Sequence, residues 1–204
     1  MPFPEFFARI PPVTLRDPLA ELLGAADGGL IDYRFADAVR LAGHSCPTVA
    51  GAWLMTVRAL RALYGDEIPE RGNIGVALRE NLESGVAGVV ASVAGLLTGA
   101  AGAGGFKGLG GRHGRRHLLH FGVAGVGGMA FTRLDTNVAV DCILRLETVP
   151  ADPRLPGLLG AILHGEAEAA TTRRFGELWQ DRVRRILIDH ADDPEIVELR
   201  PLRE

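Results

Sequence analysis

Cysteine is scarce: the 204 residues hold two, Cys46 and Cys142. Two thiols make no disulfide framework, and such usage suits a reducing compartment. An excess of positive charge is missing too. Lys and Arg number 22 against 25 Asp and Glu, a net charge of −3. The chain as a whole is therefore no basic nucleic-acid binder, and any anion site must be local. The N-terminus lacks a basic start followed by an apolar run, which argues against a secretory signal and for a cytoplasmic location. No Gly-Lys-Ser/Thr occurs, so a Walker A loop is excluded. Disorder is excluded over most of the length, because 47% of residues are hydrophobic and 23% charged.

One stretch, 84–106, carries no charge and is long enough to span a bilayer. It is mostly Ala, Gly and Val, and Gly99, Gly102, Gly104 and Gly105 weaken any helix in its second half. It reads as the buried helix of a soluble protein running into a glycine loop, with no membrane partner.

The pattern predicts an irregular, Pro-rich segment over 1–16 and one domain over 17–204. Asp17 before Pro18 marks a helix start, with a short helix ending at Gly24. A second helix is expected over 32–41. After the turn Gly43-His44-Ser45-Cys46-Pro47, the residues Val49, Trp53, Val57, Leu60 and Tyr64 recur at helical spacing and define one apolar face. Strands are expected over 73–79, 129–134 and 137–146, the last two joined near Asp135-Thr136, with a final short strand at 196–199. Helices are expected over 84–98 and 158–163. A longer one carries Phe175, Leu178, Trp179, Val183, Ile186 and Leu187 and ends near His190. This order favours an α+β fold, a mainly antiparallel sheet packed by helices.

Three segments carry chemistry. In the first, Pro47 suits the first turn of a helix and puts Cys46 at its N-terminus. The positive end of the helix dipole stabilises a thiolate there. His44 is two residues away, and imidazole with thiolate suits zinc or another late transition metal. The same two residues also fit a cysteine nucleophile with a histidine base, or simply a buried cysteine capping a core helix.

The second segment is 99–120. Glycine fills seven of the thirteen positions from 99 to 111, out of 27 in the chain. Average usage of about 7% gives roughly 14 for this length. Lys107, Arg112, Arg115 and Arg116 follow, with His113, His117 and His120 interleaved. Glycine lets backbone N–H groups approach a ligand, and with arginine they make an anion site. Gly108, Gly110 and Gly114 have the wrong spacing for a dinucleotide fingerprint. The plain alternative is a solvated connector. The third segment, Asp141-Cys142, lies in an expected strand, where neighbours point to opposite faces. Cys142 reads as a core residue. Glu80 and Glu83 after the first main strand, and His164 with Glu166 near a helix end, are weaker candidates.

The sequence resembles the FmdE family, a domain of formylmethanofuran dehydrogenases. The resemblance rests on the turn Gly43-His44-Ser45-Cys46-Pro47 before a helix, on Gly51, and on Thr98-Gly99 opening a glycine-containing loop. Gly127-Gly128-Met129-Ala130-Phe131-Thr132 leading to the hairpin at Asp135-Thr136 completes it. It spans about residues 35–147. The family usually has a cysteine and an aspartate at the start of its second helix, where this chain has Ser84 and Ala87. Gly128 stands where a lysine is usual.

The resemblance implies a metal-binding protein with His44 and Cys46 as ligands and the basic loop folded over them. His117 and His120 would then supply the ligands that Ser84 and Ala87 do not. An enzyme acting on a small anionic substrate at the same site is the alternative, with Cys46 and His44 as catalytic residues and Lys107, Arg112, Arg115 and Arg116 binding the anion. The spacings Gly85-x-x-Gly88 and Gly95-x-x-x-Gly99 allow close helix contact in a homodimer.

Overall fold

A computed structural model describes residues 3–202. From Glu5 on, the Pro-rich start forms regular structure. A 3-10 turn, Glu5–Arg9, leads into β1 (Val13–Arg16). Val13 and Leu15 alternate with Thr14 and Arg16, the period of a half-buried strand. After α1 (Pro18–Leu22) the chain forms β2 (Leu30–Tyr33), which pairs antiparallel with β1 from Val13–Tyr33 to Arg16–Leu30. Ile10 and Leu15 join the core at 5% and 0% exposure. The 3-10 turn and β1 thus occupy much of the segment expected to be irregular over 1–16, of which Met1 and Pro2 lie outside the described residues, and β2 delays the second helix, α2 (Phe35–Ala42), to Phe35. Asp17 caps α1 as expected, accepting the N–H of Leu19 at 2.9 Å and of Ala20 at 3.4 Å.

The central helix, α3 (Pro47–Tyr64), has more than one apolar face. Thr48, Arg58, Arg61 and Ala62 are its residues that escape burial. It lies on the main sheet, with α2 and α4 (Ala87–Thr98) beside it. Each large side chain buried there contributes about 1.5–3 kcal/mol, and Trp53, Leu54 and Met55 are all at or below 4% exposure. A Cβ at Gly51 would stand 2.5 Å from Leu144 Cδ2, so this glycine sets how closely α3 approaches the sheet.

That sheet holds β3 (Ile74–Leu78), β4 (Leu119–His120), β5 (Met129–Arg133), β6 (Val138–Leu144) and, after α5 (Leu155–Leu163) and α6 (Ala169–Arg184), β7 (Val197–Leu202). The order is β4-β3-β5-β6-β7. The β3–β4 pair is parallel and the others antiparallel, which gives the expected α+β class. Leu78, Met129, Cys142 and Leu199 are in register and point to the α3 side; Ala77, Ala130, Asp141 and Arg200 are in register on the other. Within the apolar run of β6 both faces of the strand are covered at Asp141 and Cys142, exposed 4% and 0%. A π-helical turn, Arg185–Asp189, continues α6 and brings Ile186 and Leu187 into the core. No helix among the described residues is long and apolar enough to cross a membrane.

Candidate functional site

Gly43 ends α2 in the left-handed conformation, φ 76°, and turns the chain toward α3. Cys46 is the extended N-cap of α3, and its Sγ accepts the Val49 N–H at 3.4 Å. The turn is held from α6. Trp179 Nε1 and Gln180 Nε2 donate to the Ser45 carbonyl at 3.0 and 3.1 Å, and Ser45 Oγ donates to Gln180 Oε1 at 2.9 Å. The helix start expected from Cys46-Pro47 is thus in place, but it points the two candidate ligands apart. Cys46 is 8% exposed and packs in the core. His44 is exposed and lines a groove of about 240 Å³ with Gly88, Val89 and Ser92 of α4; Cys46 is not part of its lining.

His44 Nδ1 lies 2.9 Å from the Ala42 carbonyl. Such a bond leaves Nε2 free, as a metal ligand requires. A third donor does not arrive. His120 lies on the edge strand β4 beside Ala77, and its Nε2 is 2.9 Å from the His117 carbonyl. Among the described residues no three His, Cys, Asp or Glu side chains gather as a metal site. The shell of His44, Cys46, His117 and His120 expected from sequence is not assembled, and these residues alone do not fit a zinc centre, which takes three or four protein ligands. His113 and His117 have φ 59° and 61° and stand as single left-handed residues, so the histidines share no helix face.

The basic loop is elsewhere as well. Arg71 Nε donates to the Leu96 carbonyl at 3.3 Å, and Gly72 N–H to the Thr98 carbonyl at 2.7 Å, at the C-terminal end of α4. The loop sits there, with Arg115 against Gly72 and Gly99. His44 lines its groove with Gly88, Val89, Ser92 and Val93, from the start to the middle of α4, and no residue of the loop takes part in that lining. The loop therefore does not fold over the His44/Cys46 turn. Nor is it a solvated connector. Ala101 N–H bonds Arg115 O at 3.0 Å, Arg115 N–H bonds Phe106 O at 2.8 Å, and Leu109 and Arg112 exchange bonds of 2.8 and 2.9 Å. Of its cations, Lys107, Arg112 and Arg116 are exposed and Arg115 is buried. The spacing Gly95-x-x-x-Gly99 serves the chain itself. Gly99 ends α4 at φ 74°, and a Cβ at Gly95 would sit 2.9 Å from Ala100 O.

Of the residues that carry the resemblance, Gly127, Gly128 and Met129 line a cleft of about 330 Å³. Thr48 and Met55 of α3 and Val86 and Val90 at the start of α4 line it as well. Leu78, Leu144 and Leu146 add apolar wall; Arg79 and Glu80, past the end of β3, stand at its polar part. Both are exposed, and neither side chain has an ion pair among the described residues. Asp141 shapes one wall from behind, its carboxylate accepting Gly127 N–H at 2.6 Å and Gly128 N–H at 3.2 Å. A Cβ at Gly128 would be 2.3 Å from the Cys142 carbonyl, so the lysine usual in the family has no room on this backbone.

Cys142 reaches the cleft as its one thiol. Burial, aided by the neighbouring Asp141 charge, pushes that thiol up to about 12. Its S–H points to the Met55 carbonyl at 3.7 Å. It is a core residue, as its strand position suggests, and is no nucleophile near neutral pH. The contact of Asp141 with Gly127 and Gly128 emerges only from the register of β6, and the place of Arg79 in the cleft only from the turn after β3. No family model matches the chain, and no curated protein matches it either.

Proposed function

We propose that the chain is an FmdE-like ligand-binding domain that takes a small zwitterion with an aliphatic body, the chemistry of an aliphatic amino acid. The observation that carries this reading is the cleft of about 330 Å³. Its size is at the lower end of the roughly 300–1,000 Å³ usual for ligand pockets, and such pockets are apolar with a few placed polar groups. Met55, Leu78, Val90, Met129 and Leu144 would surround the aliphatic part. Met side chains adapt to irregular shapes. Arg79 would meet the carboxylate and Glu80 the ammonium, which accounts for two opposite charges at one cleft that form no ion pair among the described residues. Where the family has cysteine, aspartate and lysine, this chain has Ser84, Ala87 and Gly128; of these Gly128 alone lines the cleft, and it brings no polar side chain to it.

Calorimetry on the whole chain tests the reading with leucine, isocaproate (no ammonium) and isoamylamine (no carboxylate). Leucine is expected to bind, and each analogue to bind at least tenfold more weakly, since a charge-assisted hydrogen bond contributes about 1.5–3 kcal/mol. Val90→Phe, which fills the cleft, is expected to abolish the heat. Absence of binding by all three compounds, or leucine binding unchanged in Val90→Phe, contradicts it.

A further inference from the structure

The aliphatic cleft leaves the arginines at the far end of α4 without a role, and their arrangement is more than an anchor for the loop. Asp17 is buried, its side chain 6% exposed, and accepts two guanidinium groups: Arg71 Nη1 on Oδ2 at 2.8 Å and Arg115 Nη2 on Oδ1 at 2.6 Å. One carboxylate thus faces two cations, and one of those, Arg115, is itself 8% exposed at its side chain. A buried charge without full compensation is costly. Arg115 Nε and Nη1 have no acceptor among the described residues. Arg71 uses Nε on the Leu96 carbonyl and Nη1 on Asp17, which leaves its Nη2 likewise free.

Arg71 and Arg115 line a second cleft, also about 330 Å³, with Gly72, Asn73, Arg112 and His113. Glu70 is its one carboxylate, and Arg16 holds that group at 3.4 Å. Arg112 lines the cleft with no ion pair of its own among the described residues. The backbone is shaped around the buried guanidinium. Gly72 has φ 90°, and a Cβ there would lie 1.3 Å from Arg115 Nη1; one at Gly99, φ 74°, would lie 3.1 Å from the same atom. No side chain fits at Gly72 while Arg115 keeps this place. Two elements far apart in sequence have therefore left room for a buried cation that also lines the cleft.

We infer that Arg71, Arg112 and Arg115 form a receptor for a phosphate, free or as the phosphoryl end of a small molecule. Guanidinium groups match phosphate oxygens, and the fork of Arg112 with the remaining N–H groups of Arg71 and Arg115 suits a tetrahedral group with several acceptors better than a planar carboxylate. A dianion supplies the counter-charge that Asp17 alone cannot give to Arg71 and Arg115 together. His113 adds a ring donor at the rim.

The test is an amide NMR titration of the whole chain with inorganic phosphate, glycerol 3-phosphate and acetate. Saturable shifts at Gly72, Asn73, Gly114 and Arg115 are expected with the two phosphates and not with acetate. Tighter binding of glycerol 3-phosphate identifies a phosphoryl group on a larger molecule as the natural ligand; equal or tighter binding of inorganic phosphate identifies the free ion. Arg112→Ala changes an exposed residue and keeps the fold, and Arg71→Lys keeps the charge while removing the fork. Each is expected to weaken phosphate about tenfold or more. No shift at those amides, affinity equal to wild type in both variants, or acetate binding as well as phosphate overturns the inference and leaves the arginines as a staple between the loop and α4.

Discussion

Arg115 Nη2 donates to Asp17 Oδ1 at 2.6 Å across 98 residues of chain, closing the glycine loop onto the first helix. Burial pushes the Asp17 carboxyl up, but the Arg71 hydrogen bond and the Arg115 charge outweigh it and hold it below its ordinary value of 3.8. For Arg115, burial is the leading effect and lowers its pKa against the pull of Asp17. Asp17→Asn keeps a good helix cap and removes the charge, leaving Arg115 buried beside Arg71. We expect a loss of about 3–5 kcal/mol, the usual cost of breaking a buried pair, read by urea unfolding. A depressed carboxylate stabilises the fold above its unfolded pKa, and the contribution is lost as pH falls through the folded value. Unfolding free energy should therefore drop below about pH 4 in wild type, with a flatter acid limb in Asp17→Asn. An unchanged acid limb would show that the pair carries no such linkage.

Cys142 gives the opposite sign. Its thiol is raised from 9.0 to about 12 by burial, so the fold favours the protonated form. That stabilisation is present below pH 9.0 and is lost as pH rises toward about 12. Native protein treated with iodoacetamide at pH 9 should remain unmodified at Cys142, as read by mass spectrometry, and should be modified after unfolding. Rapid native modification there would contradict the burial.

Gly51 tests the wall of the first cleft. A Cβ at this position would meet Leu144 Cδ2 at 2.5 Å, and Leu144 lines the cleft. Gly51→Ala gains about 1 kcal/mol of helix propensity and costs about 1–3 kcal/mol in overpacking, so net stability should fall by no more than about 2 kcal/mol. Leu144 has to rotate, and leucine affinity should fall more than stability does. Binding equal to wild type would remove Leu144 from the site.

Much of this is legible in sequence. Cys46-Pro47 and Asp17-Pro18 mark helix starts through local capping chemistry, and the strands of the β5–β6 hairpin follow from apolar patterning with a tight turn. Val13 to Arg16 escapes a sequence reading because the prolines before it outweigh a four-residue alternation. The basic loop shows its composition but not its address. Which end of α4 it occupies is decided by Asp17 and Arg71, and that pairing leaves no local signature. His44 and Cys46, two residues apart, look like partners. The N-cap geometry instead turns the thiol into the core and leaves the imidazole in a groove.

Purified protein is accordingly expected to hold zinc well below one equivalent by elemental analysis, with no further fall in Cys46→Ser or His44→Ala. Stoichiometric zinc lost in both variants would restore the metal reading, with ligands supplied from outside the chain.

The most direct measurement of the account is the map of amide shifts on adding leucine to the whole chain. Perturbations gathered at Thr48, Glu80, Val86, Gly127 and Gly128, saturating together, are the result it predicts. Shifts confined to the far end of α4, around Gly72 and Arg115, or no saturable shift at all, would contradict it.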